Sequence, residues 1–115
     1  MDKGDVYVCA GKGEYQGKPR AAVVLQSPVA DQVVDSILVC PVTSVFLDAS
    51  CRLAVSATEK NGLHKDSFLM VDKIGAMPQK RCRQKVGEMS PEDMRRLDHA
   101  ICEALALPCL QPGTE

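Results

Sequence analysis

A change of hydrophobic period near residue 90 is the feature that most constrains the fold of this chain. Before it, short segments rich in Val, Ile and Leu are separated by glycines, prolines and polar turns. This pattern predicts β-strands at 5–10, 20–26, 36–43, 52–56, 67–72, 73–77 and 81–86. After it, Met94, Leu97, Ile101 and Leu105 recur at helical spacing. The chain is therefore predicted to be α+β and mainly β, with five to seven strands in a small barrel or bent sheet and one C-terminal helix.

The limits of the helix are predicted by its flanking residues. Ser90 is typical of an N-cap, Pro91 of the first helical position, and Pro108 ends the helix. Residues 108–115 are predicted to fray. The chain contains no internal repeat and no linker, so residues 1–115 are predicted to form a single domain.

Two predicted strands indicate where they lie in the sheet. The near-continuous apolar run 20–26 predicts burial on both faces. Pro41 cannot donate a backbone hydrogen bond, so it predicts an edge position or a bulge for the third strand.

Charge and hydropathy exclude several classes of protein. The chain has 14 Lys and Arg against 15 Asp and Glu, a net charge of −1. This balance excludes a protein that binds nucleic acid through an overall excess of basic residues, so any phosphate-binding surface must be local. No apolar run approaches the ~20 residues that span a bilayer. The polar N-terminus lacks the apolar stretch of a signal peptide. We expect a cytoplasmic protein without membrane contact.

The six cysteines are predicted to be reduced rather than to form a disulfide framework. They form no CxxC pair, and Cys9 and Cys40 lie in strand-like apolar runs, where a free cysteine behaves as a small hydrophobic residue. The two histidines, His64 and His99, lie at no metal-ligand spacing to a cysteine pair, so no metal site is expected.

The glycine-rich segment 11–19 is the first candidate for function. Ordering such a segment costs conformational entropy, and the segment buries little apolar surface in return. It contains polar side chains that are able to contact a ligand. These are Lys12, Glu14, Tyr15, Gln16 and Lys18. A surface hairpin without a role is the alternative.

Three polar residues lie where predicted strands begin or end. Arg20 joins the glycine-rich segment to an apolar strand, and its fork-shaped guanidinium suits a phosphate. Thr43 and Ser44 end the third strand. The alternatives are a surface ion pair for the arginine and turn hydrogen bonds for the two hydroxyls.

A run of cations precedes the helix: Lys73, Lys80, Arg81, Arg83 and Lys85. It is suited to phosphate, or equally to an acidic protein partner. Because aromatic residues are few, a broad base-stacking surface is not expected, although Tyr15 and Phe46 can each stack one base. His64 is a weak candidate for proton transfer.

Four motifs in register resemble the MazF/PemK/Kid family of bacterial toxin ribonucleases. They are Gly4-Asp-Val-Tyr-Val with the segment 13–25, then Val39-Cys-Pro-Val-Thr-Ser44, then the segment 66–74, and finally the helix after residue 91. The resemblance extends to about Leu107.

The chain departs from the family pattern at several positions. Ala21 replaces a proline, Met70 stands where some members have a catalytic arginine, and Lys73 stands where glutamine is usual. Glu14 and Tyr15 also replace the usual loop residues. Arg20 and Thr43 remain as the matching catalytic pair.

The resemblance implies an SH3-like β-barrel with a C-terminal helix that works as a homodimer. It implies the toxin of a type II toxin–antitoxin system, a sequence-selective endoribonuclease that cleaves single-stranded RNA without metal or cofactor. An acidic, partly disordered antitoxin would neutralise it.

The implied chemistry is attack of the RNA 2′-OH on the adjacent phosphorus, which leaves a 2′,3′-cyclic phosphate. Arg20 is expected to bind the scissile phosphate and Thr43 to hydrogen-bond the same group. Glu14 is the first candidate for the base, ahead of Asp72 and His64. The candidates for holding RNA are Lys12, Tyr15, Gln16, Lys18, Ser44, Phe46 and Asp72.

Two other classes remain open. One is a non-catalytic SH3-like binding module. The other is a gyrase-poisoning toxin of the CcdB type, whose Trp-Gly-Ile tail this chain lacks, since it contains no Trp.

Overall fold

Seven strands and one helix form the described part of the protein. The structure is a computed structural model and describes residues 1–10, 19–26 and 35–108. The strands are β1 (Asp5–Cys9), β2 (Arg20–Val24), β3 (Ser36–Thr43), β4 (Arg52–Val55), β5 (Ser67–Met70), β6 (Gly75–Pro78) and β7 (Cys82–Glu88). The helix is α1 (Pro91–Ala104). The mainly-β fold with one C-terminal helix is therefore confirmed.

The strands form an antiparallel sheet in the order β4-β5-β3-β2-β1-β7, with β6 also paired to β3. The first and last strands of the chain are thus neighbours, since β1 pairs with both β2 and β7. Strand β7 ends where a short link, with Ser90 as N-cap, leads into the helix.

Pro41 lies in a central strand rather than in an edge strand, so the edge alternative of the prediction is wrong. Strand β3 pairs with β2 along one side, and Pro41 lies opposite Ala22. Along its other side, β3 pairs with β6 as far as Val39 and with β5 from Val42. The change of neighbour leaves a gap in that ladder at Pro41, which is where a residue without an N–H is tolerated.

The sheet buries apolar residues on both faces. Val23 of β2 belongs to a large core that also contains Val6 and Leu97, whereas Ala22 and Val24 belong to a smaller cluster on the opposite face. The prediction that β2 is buried on both faces is confirmed.

The helix covers the larger core. The Ser90 hydroxyl accepts a hydrogen bond from the Asp93 N–H at 3.1 Å, and Leu97 is 0% exposed. The helix ends at Ala104, before the predicted stop at Pro108, and Leu105 is exposed rather than part of the apolar face.

Among the described cysteines, four are free thiols: Cys9, Cys40, Cys51 and Cys82. Cys102 is disulfide-bonded, so the prediction of reduced cysteines is wrong at this position. Within 1–10, 19–26 and 35–108, no helix has the length and apolar character needed to cross a membrane.

Candidate functional site

Arg20 and Thr43 meet at one end of the sheet. Ala22 of β2 lies opposite Pro41 of β3, and extending this antiparallel register by two residues brings Arg20 opposite Thr43. Both residues line the same two surface depressions. The sequence treated these residues as a pair, and the fold brings them together.

The larger of these two depressions is a cationic groove of about 560 Å³. Four of its lining residues are cations: Arg20, Arg52, Lys73 and Arg81. No Asp or Glu lies among the lining residues in the described part of the chain. Such an arrangement favours a polyanion, because like charges in a concave surface reinforce one another.

Arg52 is the cation that the sequence argument missed. It lies directly across the β4–β5 ladder from Met70, and both residues line the groove. An arginine therefore reaches the groove beside the methionine that replaces the arginine of some family members. Arg52 is visible in the sequence as an arginine at the start of a predicted strand. Only the register of β4 on β5 shows that it lies beside Met70.

Asp72 holds the Arg52 side chain in place. The guanidinium donates from Nε to Oδ1 at 2.8 Å and from Nη2 to Oδ2 at 3.1 Å, and the Arg52 side chain is 10% exposed. The hydrogen bonds from Arg52 lower the pKa of Asp72 from its usual 3.8 to about 2 and raise the pKa of Arg52. Asp72 is therefore a very weak base, and it lies outside the lining of the groove.

The Thr43 hydroxyl is oriented by the chain that follows it. Its Oγ1 accepts a hydrogen bond from the Val45 N–H at 3.1 Å, and Thr43 is 8% exposed. A hydroxyl can accept and donate at once. Because this bond uses an acceptor position, the hydroxyl hydrogen can still be donated to a ligand in the groove.

The second depression that Arg20 and Thr43 line has a volume of about 310 Å³. Ser44 and His64 line it together with Arg20 and Thr43. The fold thus brings His64 and Ser44 to the same small depression as Arg20 and Thr43.

His64 is positioned by the turn that precedes it. The Asn61 side chain is buried, accepts from the Thr58 and Leu63 N–H groups, and donates to the Ser56 carbonyl. Gly62 has φ +72°, and a Cβ there would lie 2.2 Å from the Val86 carbonyl oxygen. Only glycine satisfies both the positive φ and this close approach.

Phe46 extends from the end of β3 over β5. Its ring meets Phe68 edge to face with centroids 5.7 Å apart, and yet the residue is 68% exposed. Val45 and Leu47 beside it are also exposed. An anchored aromatic ring with a free surface is suited to stacking on a base.

The predicted site residues Lys12, Glu14, Tyr15, Gln16 and Lys18 lie outside the described residues. Ala10, which precedes this segment, is fixed by two hydrogen bonds with Arg81. The Arg81 Nη2 donates to the Ala10 carbonyl at 2.9 Å, and the Ala10 N–H donates to the Arg81 carbonyl at 2.8 Å. Arg81 thus fixes the point at which the chain leaves β1.

The predicted run of cations does not act as one unit. Lys73 and Arg81 line the groove, but Lys80 lies in another depression. Lys85 forms salt bridges with Asp5 at 3.2 Å and Glu88 at 3.0 Å. Only part of the run is thus available to a groove ligand.

A third, apolar depression of about 880 Å³ lies beside the helix. Leu25, Leu38 and Ile101 contribute to its lining, and Lys3 and Asp98 form a salt bridge of 3.1 Å at its border. We refer to it as the helix-side depression.

Comparison with known proteins identifies the class to which this fold and site belong. Residues 2–105 match the family described as "PemK-like, MazF-like toxin of type II toxin-antitoxin system". A protein of Mycolicibacterium smegmatis named "Probable endoribonuclease MazF" is 34% identical over 108 residues, which are 93% of this chain and 98% of that protein.

Solved structures share the fold. The Mycobacterium tuberculosis toxin MazF-mt6 superimposes with a TM-score of 0.76 at 19% identity, covering 90% of this chain and 97% of that one. A MazE–MazF complex from Deinococcus radiodurans gives 0.75 at 17% identity, covering 93% and 96%. A mycobacterial endoribonuclease in complex with its cognate antitoxin gives 0.77 at 18% identity, covering 94% and 97%.

These matches define a toxin of the type II toxin–antitoxin class. The chain belongs to the PemK-like, MazF-like toxin family.

Proposed function

We propose that this protein is an endoribonuclease that cleaves single-stranded RNA without a metal ion, as the toxin of a type II toxin–antitoxin system. The observation that supports this most strongly is the meeting of Arg20 and Thr43 at the border of a groove lined by three further cations. An extended phosphodiester chain has the charge and shape that such a groove selects.

The proposed reaction needs two things from the protein. The RNA supplies the nucleophile, its own 2′-OH, so the protein stabilises charge on the phosphorane oxygens and moves protons. Arg20 binds the scissile phosphate, and Thr43 donates its hydroxyl hydrogen to the same group. Arg52, held by Asp72, supplies a second guanidinium to the phosphate chain.

His64 is the described residue best placed to act as the base. It lines the same small depression as Arg20 and Thr43, and an imidazole nitrogen can accept a proton from a hydroxyl. Asp72 is unsuited, because its pairing with Arg52 holds its pKa at about 2. Glu14, outside the described residues, stays the competing candidate, and the loss of activity in His64→Gln and Glu14→Gln decides between them.

Residues around the pair hold the RNA in this proposal. Phe46 stacks on one base, Ser44 hydrogen-bonds near the cleavage site, and Lys73 and Arg81 bind flanking phosphates. The predicted contacts of Lys12, Tyr15, Gln16 and Lys18 continue this surface. Asp72 acts indirectly, by positioning Arg52.

The finer architecture also belongs to the proposal. We infer that the sheet curls into an SH3-like barrel, because the turn after β4 reaches β7. The Glu88 N–H donates to the Lys60 carbonyl at 2.8 Å, and a Cβ on Gly87 would lie 2.4 Å from the backbone of this turn. The two ends of the strand order therefore approach one another.

We infer the cellular setting from what is typical of the family. The protein is a single toxin domain that acts in the cytoplasm as a homodimer. An acidic antitoxin segment neutralises it by occupying the cationic groove.

The test is cleavage of an end-labelled single-stranded RNA in EDTA. The parent protein should give products with 2′,3′-cyclic phosphate ends. Arg20→Ala should lower the rate about 10²- to 10³-fold, the usual cost of losing one donor to a developing oxyanion. Arg95→Ala is the matched control, because this exposed arginine lies on the helix and lines neither depression.

Full cleavage by a folded Arg20→Ala protein would contradict the proposal. RNA binding without cleavage by the parent protein would favour the non-catalytic binding module. Circular dichroism and thermal unfolding show whether each variant is folded.

A further inference from the structure

Three sulfur atoms meet in the wall of the cationic groove. The Cys9 and Cys82 Sγ atoms are 3.6 Å apart, and the Cys82 Sγ is 3.8 Å from the Met77 Sδ. Cys9 is 3% exposed, and Cys82 and Met77 are half-buried. Cys9 and Met77 line the groove, so a small ion can reach this sulfur cluster from solvent.

The backbone holds the cluster together without a ligand. Cys9 and Cys82 are direct partners in the β1–β7 ladder. Met77 lies on β6, which a single turn at Gln79–Arg81 connects to β7. The three residues also pack against the same small apolar cluster. The sulfurs are therefore preorganised by two strand pairings and a short turn.

The donor set selects a particular class of metal. Two thiols and a thioether are soft ligands, which favour Cu(I) over the harder divalent ions. Within the described residues, no group of three His, Cys, Asp or Glu side chains comes together, so the cluster lacks the further ligands of a zinc site.

The spacing of the sulfurs fits three-coordinate binding. With metal–sulfur bonds of about 2.3 Å, the sulfurs of a planar trigonal site lie about 4 Å apart. The two measured separations, 3.6 Å and 3.8 Å, are close to that value. The two separations that involve Cys82 therefore need to change by only a few tenths of an ångström to admit an ion.

The surroundings balance the charge of a bound complex. Arg81 directly precedes Cys82 in the chain, and its guanidinium interacts electrostatically with Cys9. Binding of M⁺ releases both protons and leaves a complex of charge −1, which the Arg81 guanidinium stabilises.

We propose that Cys9, Cys82 and Met77 bind one soft monovalent metal ion of the Cu(I) class in the wall of the cationic groove. The ion forms two metal–thiolate bonds and one metal–thioether bond, two protons leave to solvent, and no electron is transferred. This site is separate from the proposed ribonuclease chemistry and does not depend on it.

The experiment is an anaerobic titration of the reduced protein with Cu(I), in competition with a chromophoric Cu(I) chelator. We expect one ion per chain by native mass spectrometry and release of two protons in weakly buffered solution. Removing a residue that only hydrogen-bonds to a metal ligand lowers metal affinity about 10- to 100-fold. Removing the Cys82 ligand itself in Cys82→Ser should therefore lower Cu(I) affinity more than about 100-fold. Met77→Leu, which keeps the side-chain volume, should weaken binding about 10-fold.

Two cysteine variants are the controls. Cys51→Ser removes a free thiol that lines the helix-side depression, and its affinity should equal that of the parent. Cys102→Ser should also bind one ion, which excludes thiols released when the disulfide of Cys102 is reduced. Thermal unfolding in the absence of metal shows whether each variant folds.

Three results would overturn the proposal. They are no uptake of Cu(I) by the parent, equal affinity in Cys82→Ser, and equal affinity in Met77→Leu. A protein that binds no ion but forms a Cys9–Cys82 disulfide with peroxide would identify a redox pair instead.

Discussion

The cationic groove and the helix-side depression are both concave, but they differ in how far their charges are paired. In the helix-side depression, Lys3 is paired with Asp98 at 3.1 Å. In the groove, neither Lys73 nor Arg81 has an ion pair within the described part of the chain. Arg52, which also lines the groove, is paired with Asp72, whereas Lys73 and Arg81 keep their charge for an anionic ligand.

The two regions also differ in what they bury. Beside the helix, Leu97 is completely enclosed by the core. At the groove, Phe46 remains largely exposed although it is in contact with Phe68. We therefore expect substitutions on the helix side to change stability and substitutions at the groove to change RNA binding or cleavage.

The largest expected effect on stability is on the helix side. Leu97→Ala should lower the free energy of unfolding by about 2–5 kcal/mol, because it removes a fully buried side chain and leaves a cavity. Urea unfolding measures this loss. The rate of RNA cleavage per folded molecule should stay at the parent value, and a specific loss of rate would show that the two regions are coupled.

A smaller effect is expected at the start of the helix. Ser90→Ala removes the hydroxyl that accepts from the Asp93 N–H, which should cost about 1 kcal/mol. Ser90→Asp keeps an acceptor and should restore most of the stability. Equal unfolding midpoints for Ser90→Ala and the parent would contradict this role.

At the groove, the expected change is in RNA binding rather than stability. For single-stranded RNA, each contact with a phosphate changes the slope of log affinity against log salt concentration by about 0.7. The Lys73→Ala protein should therefore bind RNA about fivefold more weakly than the parent at ~0.1 M salt. Lys60→Ala, an exposed lysine outside both depressions, is the matched control. If the slope of log affinity against log salt concentration is the same for Lys73→Ala and the parent, Lys73 does not contact an RNA phosphate.

The smallest effect concerns the ion pair behind the groove. The pKa of Asp72 is lowered in the folded protein, so the pair stabilises the fold above pH 4. This contribution decreases as the pH falls from about 4 towards about 2, where the carboxylate becomes protonated. Asp72→Asn should therefore reduce stability at pH 7 and lose this difference at the acidic end. A difference that persists at pH 2 would point to another cause.

The sequence predicts those elements of the fold whose formation depends on neighbouring residues, and it predicts less well those that depend on contacts between distant residues. Strand β3 and the helix start were predicted at the observed residues, because an apolar run and a capping serine act over a few positions. The second part of segment 67–72 was predicted as strand, but Val71–Lys73 forms a 3-10 turn. That turn directs Asp72 towards Arg52, a contact made across 20 residues of sequence.

The site shows the same division between local and long-range signals. Arg20 and Thr43 were paired through motifs that resemble a family, and the β2–β3 register brings them to one border. Arg52 was missed, because its place in the groove depends on the pairing of β4 with β5. The sulfur cluster was missed for a similar reason, since Cys9 and Cys82 are separated by 73 positions.

The pairing of β1 with β7 has a consequence for the time at which the protein becomes active during synthesis. Strand β1 acquires its second neighbour only when the residues up to Glu88 have left the ribosome. The groove likewise needs Arg20 of β2 and Arg81, which directly precedes β7. The cationic groove is therefore assembled only after the chain has been synthesised through β7, although most of the strands that flank the groove are made earlier.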